Sequence, residues 1–260
     1  MLASIDGVLM DAANATISVL DDGLLRGDGV FEVIRVYEGR PFALDEHLER
    51  MARSAASLRL PLDVDALRCD AEALLAEGGP NDAALRLIAT RGGRRIALLE
   101  APKAFPDTVA LATITYSPTR LLDGVKSLSY GANMLATRLA KEAGAEEALL
   151  VSPHGRVLEG PTTSFFYVLG GELCTPPLSD RILDSISRRV LLAVTDARER
   201  VTTLDDLESI SEAFLASSLR EVMAVRSIDG RAIEAAPGPV ANTSAQLVHE
   251  YIEAALRHAA

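Results

Sequence analysis

The chain has no tryptophan, two cysteines, four histidines and only three lysines among its 26 lysine and arginine residues. Each scarcity excludes something. Cys69 and Cys174 cannot build a disulfide framework, and each lies in helix-like or strand-like sequence, so both read as reduced packing residues. His47, His154, His249 and His258 occur singly, without HExxH or a similar ligand spacing, which leaves no metal site. No stretch approaches eighteen uninterrupted apolar residues, and the amino terminus has no basic segment followed by an apolar run. Neither a membrane span nor a signal peptide is expected. Positive charge is also short: the formal net charge is −11, which argues against nucleic acid as a partner. No GxSxG and no Ser/His/Asp grouping suggests a hydrolase. What remains is 260 residues, 48% hydrophobic and 24% charged, enough for one large core or two smaller ones. A soluble cytoplasmic enzyme is the default expectation.

The scarcity of lysine makes each one informative. Lys141 sits in the last turn of a helical pattern, and Lys103 lies in a loop between Pro102 and Pro106. Lys126 differs: it follows Val125 and precedes Ser127-Leu128-Ser129-Tyr130, just before a helix of small residues. In an apolar, partly dry setting a lysine amine loses its proton more easily and can add to a carbonyl. From chemistry alone the commoner alternative, a solvated loop lysine, stays open.

Along the chain, Asp6-Gly7 between Ile5 and Val8 signals a hairpin, and residues 15–20 are expected to continue the β-structure. Residues 30–37 alternate as a strand, with Phe31, Val33 and Arg35 on one face and Val30, Glu32, Ile34 and Val36 on the other. Arg26-Gly27-Asp28-Gly29 is too short for a Walker loop and reads as a turn. Asp45 is a good cap for a helix over 46–58, whose apolar stripe is Leu48, Met51, Ala52, Ala55 and Leu58; Arg50 falls off that stripe. A second helix covers 64–76. Strands are expected at 84–90 and 108–116. The loop between them holds Arg91, Arg94 and Arg95, a candidate carboxylate site. Later strands fall at 148–152, 156–159, 164–169, 214–217 and 222–228. Helices fall at 186–198, capped by Ser185 or Asp184, and at 243–258, capped by Asn242 or Thr243. The pattern predicts a two-domain α/β (α+β) protein: a small amino-terminal domain over 1–117, a connecting loop at 118–123 and a larger domain over 124–260.

Three motifs, in order, carry a resemblance. They are RGDGVFEVIRVYEGRPFALDEHLERM at 26–51, KSLSYGANMLATRLAKEAG from Lys126, and RVLEGPTTSFFYV followed by ELCTPPLSDRILDSISRR at 156–189. Together they resemble the fold-type IV pyridoxal-phosphate enzymes, a family of branched-chain aminotransferases, D-amino acid aminotransferases and aminodeoxychorismate lyases. The resemblance implies a small α/β domain, a larger barrel-like domain with helices, and pyridoxal 5′-phosphate bound in the cleft between them. It also implies a homodimer acting on small amino acids and keto acids.

The resemblance also assigns residues. Lys126 would carry the cofactor, Glu159 would face the pyridine nitrogen, and Arg50, in EHLER, would reach the phosphate. The phosphate would sit on the backbone at Ile186 and Ser187 and on the Ser187 hydroxyl, behind Ser185, where the family more often has glycine. Ser217 and Ser218 match a second phosphate loop, and Tyr130 matches a position that bonds the ring hydroxyl. Val33 occupies the position where the lyases have threonine and the branched-chain enzymes glycine; valine is the D-amino acid pattern. Phe31 replaces the tyrosine those enzymes use for the substrate carboxylate, and their downstream Arg-x-His is missing. Any carboxylate clamp must then be built differently from the family's, with Arg91 and Arg94 or Arg95 as the candidates.

Overall fold

Asp6 and Gly7 both have positive φ, 51° and 88°, so the chain reverses in two residues and pairs β1 (Leu2–Ile5) with β2 (Val8–Asp11) as the Asp-Gly signal predicts. The structure is a computed structural model and describes residues 1–258. Residues 15–20 do not extend the hairpin; no strand forms there, and Asp21 instead caps the short helix α1 (Asp22–Arg26) by accepting from Gly23 N.

The chain groups into two units. The first comprises Met1–Ala104, Val125–Tyr130 and, of the described residues, 255–258; the second comprises Phe105–Gly124 and Gly131–Ala254. This division departs from breaks at 117 and 124. The strand at 108–115 pairs with strands of the second unit, while the Lys126 segment pairs with a strand of the first.

The first unit is a six-stranded antiparallel sheet. Beyond the hairpin it contains β3 (Gly29–Tyr37), β4 (Arg40–Pro41), β5 (Ala83–Thr90) and β6 (Arg95–Glu100), in the order β2-β1-β6-β5-β3-β4. β6 was not expected from the sequence, because five of its six residues are half-buried and only Ala97 is fully buried. Helices α2 (Leu44–Ser57) and α3 (Val64–Gly78) lie on the sheet, and Leu48, Met51, Leu67, Leu74, Leu85 and Leu87 fill the layer between. Each such side chain contributes roughly 1.5–3 kcal/mol by leaving water. Asp45 does not cap α2. The helix starts two residues earlier than expected, behind Ala43, which is left-handed, and Asp45 pairs with Arg68 of α3.

The second unit holds eight strands: β7 (Thr108–Thr115), β8 (Glu147–Val151), β9 (Ser164–Leu169), β10 (Glu172–Thr175), β11 (Arg198–Glu199), β12 (Ile210–Ser217), β13 (Glu221–Ile228) and β14 (Arg231–Ala232). They run β11-β10-β9-β12-β13-β7-β8, with β14 on β13. Residues 156–159 form no ladder of their own. They make single bridges, Val157 to Val151 of β8 and Arg156 to Thr203 just past β11, which tie the two ends of the sheet together in a barrel-like closure. Phe165, Tyr167, Leu149, Leu215 and Val225 fill the interior. Outside, the small residues Ala136 and Ala140 let α4 (Gly131–Glu142) pack closely on β7 and β8.

Two further helices complete the unit, α5 (Ile186–Val194) and α6 (Pro239–His258). Ser185 caps α5, its Oγ accepting from Arg188 N at 3.0 Å. Neither Asn242 nor Thr243 caps α6. Pro239 opens it, and the Glu212 carboxylate of β12 accepts from Val240 N and Ala241 N at 3.0 Å each, a cap supplied from a distant strand. Among the described residues no helix is long and apolar enough to cross a membrane.

Candidate active site

In the first unit the groups gather around Lys126. Its segment runs antiparallel beside the start of β3: Phe31 N donates to the Lys126 carbonyl at 3.2 Å, and Leu128 N donates to the Gly29 carbonyl at 2.9 Å, flanking a Val30–Ser127 bridge. The Lys126 N–H turns the other way and donates to Ser54 Oγ of α2 at 3.1 Å. So anchored, the half-buried side chain carries Nζ to 4.5 Å from the centroid of the Phe31 ring and 5.8 Å from that of Tyr130. The two rings meet edge to face at 5.1 Å. The Gly27–Gly29 turn is packed against this segment. A Cβ on Gly29 would lie 2.6 Å from Leu128 Cδ1, and one on Gly27 would lie 3.0 Å from Ser129 Oγ. The turn holds the lysine segment and is no phosphate cradle.

Arg50 is buried although it falls off the apolar stripe of α2. It is 5% exposed, and with His47 and Ser54 it makes a polar row along the buried face of α2. Its Nε and Nη2 donate to the two oxygens of Glu32 at 2.7 and 2.6 Å, and His47 Nδ1 donates to Glu32 at 2.8 Å. Burial by itself would raise the Glu32 pKa, but the hydrogen bonds from Arg50 and His47 outweigh it and hold the carboxyl at about 2. Glu32 is therefore an ion that only accepts, which fixes the His47 proton on Nδ1. Burial lowers the His47 pKa against the pull of Glu32, and the charges of Arg50 and Lys126 lower it further. His47 Nε2 is buried with no hydrogen-bond partner among the described residues.

The arginine loop is different. Arg91 Nε donates to Asp28 at 2.5 Å and its two Nη groups donate to the carbonyls of Arg59 and Leu58; Arg94 pairs with Asp6 at 2.5 Å and Arg95 with Asp70 at 2.9 Å. Each charge is matched by its own aspartate, and the three do not converge on a common anion site. Arg35 is likewise engaged, by Asp82 at 2.9 Å and over the Tyr37 ring.

In the second unit a carboxylate and a helix start come together. After β8 the chain turns at Gly155 and returns beside it, so that Leu150 N donates to the Glu159 carbonyl. The Glu159 carboxylate accepts from Leu183 N at 3.0 Å, two residues before the Ser185 cap of α5. Burial and the Glu159 charge push the Tyr116 phenol pKa up. Ser185 Oγ also meets Ser164 Oγ at 2.8 Å, and Ser164 faces Ala216 across the β9–β12 ladder, one residue before Ser217. Ser217 and Ser218 open the turn into β13, where Ser217 Oγ accepts from Arg220 N at 3.3 Å. Ser164 thus links the α5 start, with Ile186 and Ser187, to the Ser217–Ser218 turn. Thr163 Oγ1 beside it is buried without a partner among the described residues.

Taken unit by unit, each of these groups suits a part of pyridoxal phosphate. The first N–H groups of α5 have no acceptor within the helix and suit an anion. The Glu159 carboxylate suits a protonated ring nitrogen, and Lys126 supplies an amine against apolar rings. Glu32, His47, Ser54 and Ser164 were not singled out in the sequence. A signal for Glu32 was present: it is the one acid among Val30, Ile34 and Val36 on the buried face of its strand.

Comparison with known proteins bears on this arrangement. A family profile described as "Amino-transferase class IV" matches residues 29–228. Over 255 residues the chain is 34% identical to a protein named "Putative branched-chain-amino-acid aminotransferase" from Methanocaldococcus jannaschii, covering 88% of each. Over 259 residues it is 31% identical to a D-alanine aminotransferase of Bacillus licheniformis, covering 90% of this chain and 91% of that one. The PLP-bound form of "a hypothetical aminotransferase from Mycobacterium tuberculosis" matches with a TM-score of 0.88 at 26% identity, over 97% of this chain and 99% of that one.

Proposed function

The chain belongs to the class IV aminotransferases, with fold-type IV architecture and pyridoxal 5′-phosphate as cofactor, and on that premise we propose that it transfers an amino group between a D-amino acid and an α-keto acid. The observation that carries the amino-transfer chemistry is the Lys126 amine held against the Phe31 and Tyr130 rings. Bound pyridoxal phosphate supplies a carbonyl carbon for the amino group and a protonated ring that draws electrons from the substrate α-carbon. Lys126 Nζ would hold the cofactor, then take and return the α-proton. Glu159 would keep the ring nitrogen protonated. Arg50 of the first unit, and the Ser185–Ser187 helix start, Ser217 and Ser218 of the second, would hold the phosphate, and Tyr130 would take the ring hydroxyl.

Val33 supports the D-amino acid substrate. It is half-buried on the same strand face as Phe31, it lacks the hydroxyl expected of a lyase, and it is not the glycine of the branched-chain pattern. The name of the Bacillus relative agrees with this reading. Branched-chain L-amino acids are the second reading, supported by the name of the Methanocaldococcus relative and by the pairing of Arg91, Arg94 and Arg95 with aspartates, which leaves no arginine clamp in that loop. Aminodeoxychorismate cleavage is the third.

A cytoplasmic homodimer belongs to the same proposal. Both cysteines are free thiols, which suits a reducing compartment, and Val19, Leu20, Leu24 and Leu25 are exposed apolar residues within seven positions of the chain, which suits contact with a second copy. The test is a panel of D- and L-amino acids mixed with the yellow enzyme. D-alanine or D-glutamate should bleach the visible band and a keto acid should restore it. Bleaching by L-leucine with no response to any D-amino acid selects the second reading, and pyruvate release from aminodeoxychorismate without amino transfer selects the third.

A further inference from the structure

We infer that Ser54 is a positioning residue for Lys126: its buried hydroxyl holds the main chain of the lysine and thereby sets where the amine stands over Phe31. The inference rests on the proposed role of Lys126. The segment Val125–Tyr130 lies outside every helix and ladder of the first unit and is attached to β3 by one bridge and its two flanking hydrogen bonds. A regular antiparallel continuation would turn both the N–H and the carbonyl of Lys126 onto β3. Only the carbonyl goes there, to Phe31 N; the N–H goes to Ser54 Oγ at 3.1 Å. Lys126 is thus held between a strand and a helix, and Ser54 is the hydrogen-bond acceptor on the helix side.

Ser54 is 2% exposed and lies on the same face of α2 as His47 and Arg50, one turn beyond Arg50. The Glu32 carboxylate fixes His47 and Arg50, so this face of the helix is registered against β3. Ser54 passes that registration to the lysine, while Phe31 N, from the residue before Glu32, fixes its other side. Two independent attachments of one residue to the same helix–strand pair leave the amine little freedom, which is what a group that must hold a cofactor and shuttle a proton requires.

The test uses the holoenzyme with Ser54→Ala, which removes the acceptor, and Ser54→Thr, which keeps it. In the parent, borohydride should first fix the cofactor to Lys126. Ser54→Ala should then lower kcat about tenfold, with the donor KM changed by less than about twofold, because the reacting amine and not the substrate is displaced. The pH midpoint of the visible cofactor band should shift in Ser54→Ala and return to the parent value in Ser54→Thr. If Ser54→Ala does not fold, Ser54→Cys, with a weak acceptor of similar size, is read in its place. A variant that melts earlier yet keeps the parent midpoint and kcat overturns the inference and leaves the Lys126 reading standing. A label on a lysine other than Lys126 overturns both.

Discussion

The amine of Lys126 stands 4.5 Å from the centre of the Phe31 ring, on the aromatic face. An aromatic face attracts a cation electrostatically, so the ring helps to set where the Lys126 side chain stands. Phe31→Leu keeps the bulk and removes the face. A contact worth about 1 kcal/mol corresponds to roughly a fivefold change, so the half-reaction with an amino donor should slow about that much. Stopped-flow bleaching of the visible band measures it, and a parent-like rate would show that the ring only fills space.

Gly29 is required by close approach. A Cβ there would meet the Ala89 carbonyl at 2.5 Å and Leu128 Cδ1 at 2.6 Å, whereas around a Cβ on Gly131 there is nothing within 4 Å. Gly29→Ala should cost about 1–3 kcal/mol of stability and weaken cofactor retention, because the displaced Leu128 moves the Lys126 segment. Gly131→Ala, at the start of α4, should be neutral or stabilising. Urea unfolding of both variants, with cofactor content by absorbance, checks the contrast; equal behaviour would remove the argument.

Acid should unfold the protein through Glu32 and His47. Unfolded Glu32 would bind a proton below its ordinary value of 4.5, while the folded carboxyl resists until about pH 2. The advantage is complete above pH 4.5 and is lost as pH falls toward 2, amounting to about 3 kcal/mol. His47 works in the same direction at higher pH. Its folded value lies below 6.5, so once pH drops through that region the unfolded chain takes up a proton that the folded one refuses. Stability measured at successive pH values should therefore decline from about 6.5 downward. In Glu32→Gln/His47→Gln, less stable at neutral pH because Arg50 loses its buried carboxylate partner, the decline should be much shallower. Parallel curves for parent and variant would refute the assignment.

Glu159→Gln should leave the fold intact and cut turnover about a hundredfold, the effect of losing one charge-assisted contact of roughly 3 kcal/mol at the ring nitrogen. Circular dichroism controls for folding and steady-state assays at saturating cofactor give the rate. Parent-like turnover would remove Glu159 from the proposed mechanism.

Local signals were legible in the sequence where the cause was local. Asp6-Gly7 wrote its own turn, the alternation of 30–37 wrote β3, and Ser185 capped α5 as a serine in that position can. Where the cause was distant, the sequence misled. Asp45 looked like a cap but serves Arg68, and α6 takes its cap from Glu212, 28 residues before Val240. Arg50 fell off the apolar stripe because helical periodicity counts apolar residues, and its burial depends on an acid on a separate strand. The arginine loop looked like an anion site because its aspartate partners, Asp6, Asp28 and Asp70, are far away along the chain. Charge pairing across a sheet leaves no periodic trace.

The most direct test of the account is chemical. With only three lysines in the chain, borohydride reduction of the purified yellow enzyme followed by peptide mapping has three possible answers. The account predicts that the reduced cofactor is found on the peptide containing Lys126, at close to one per chain. A label on Lys103 or Lys141, or no covalent label on an enzyme that still transaminates, would contradict it.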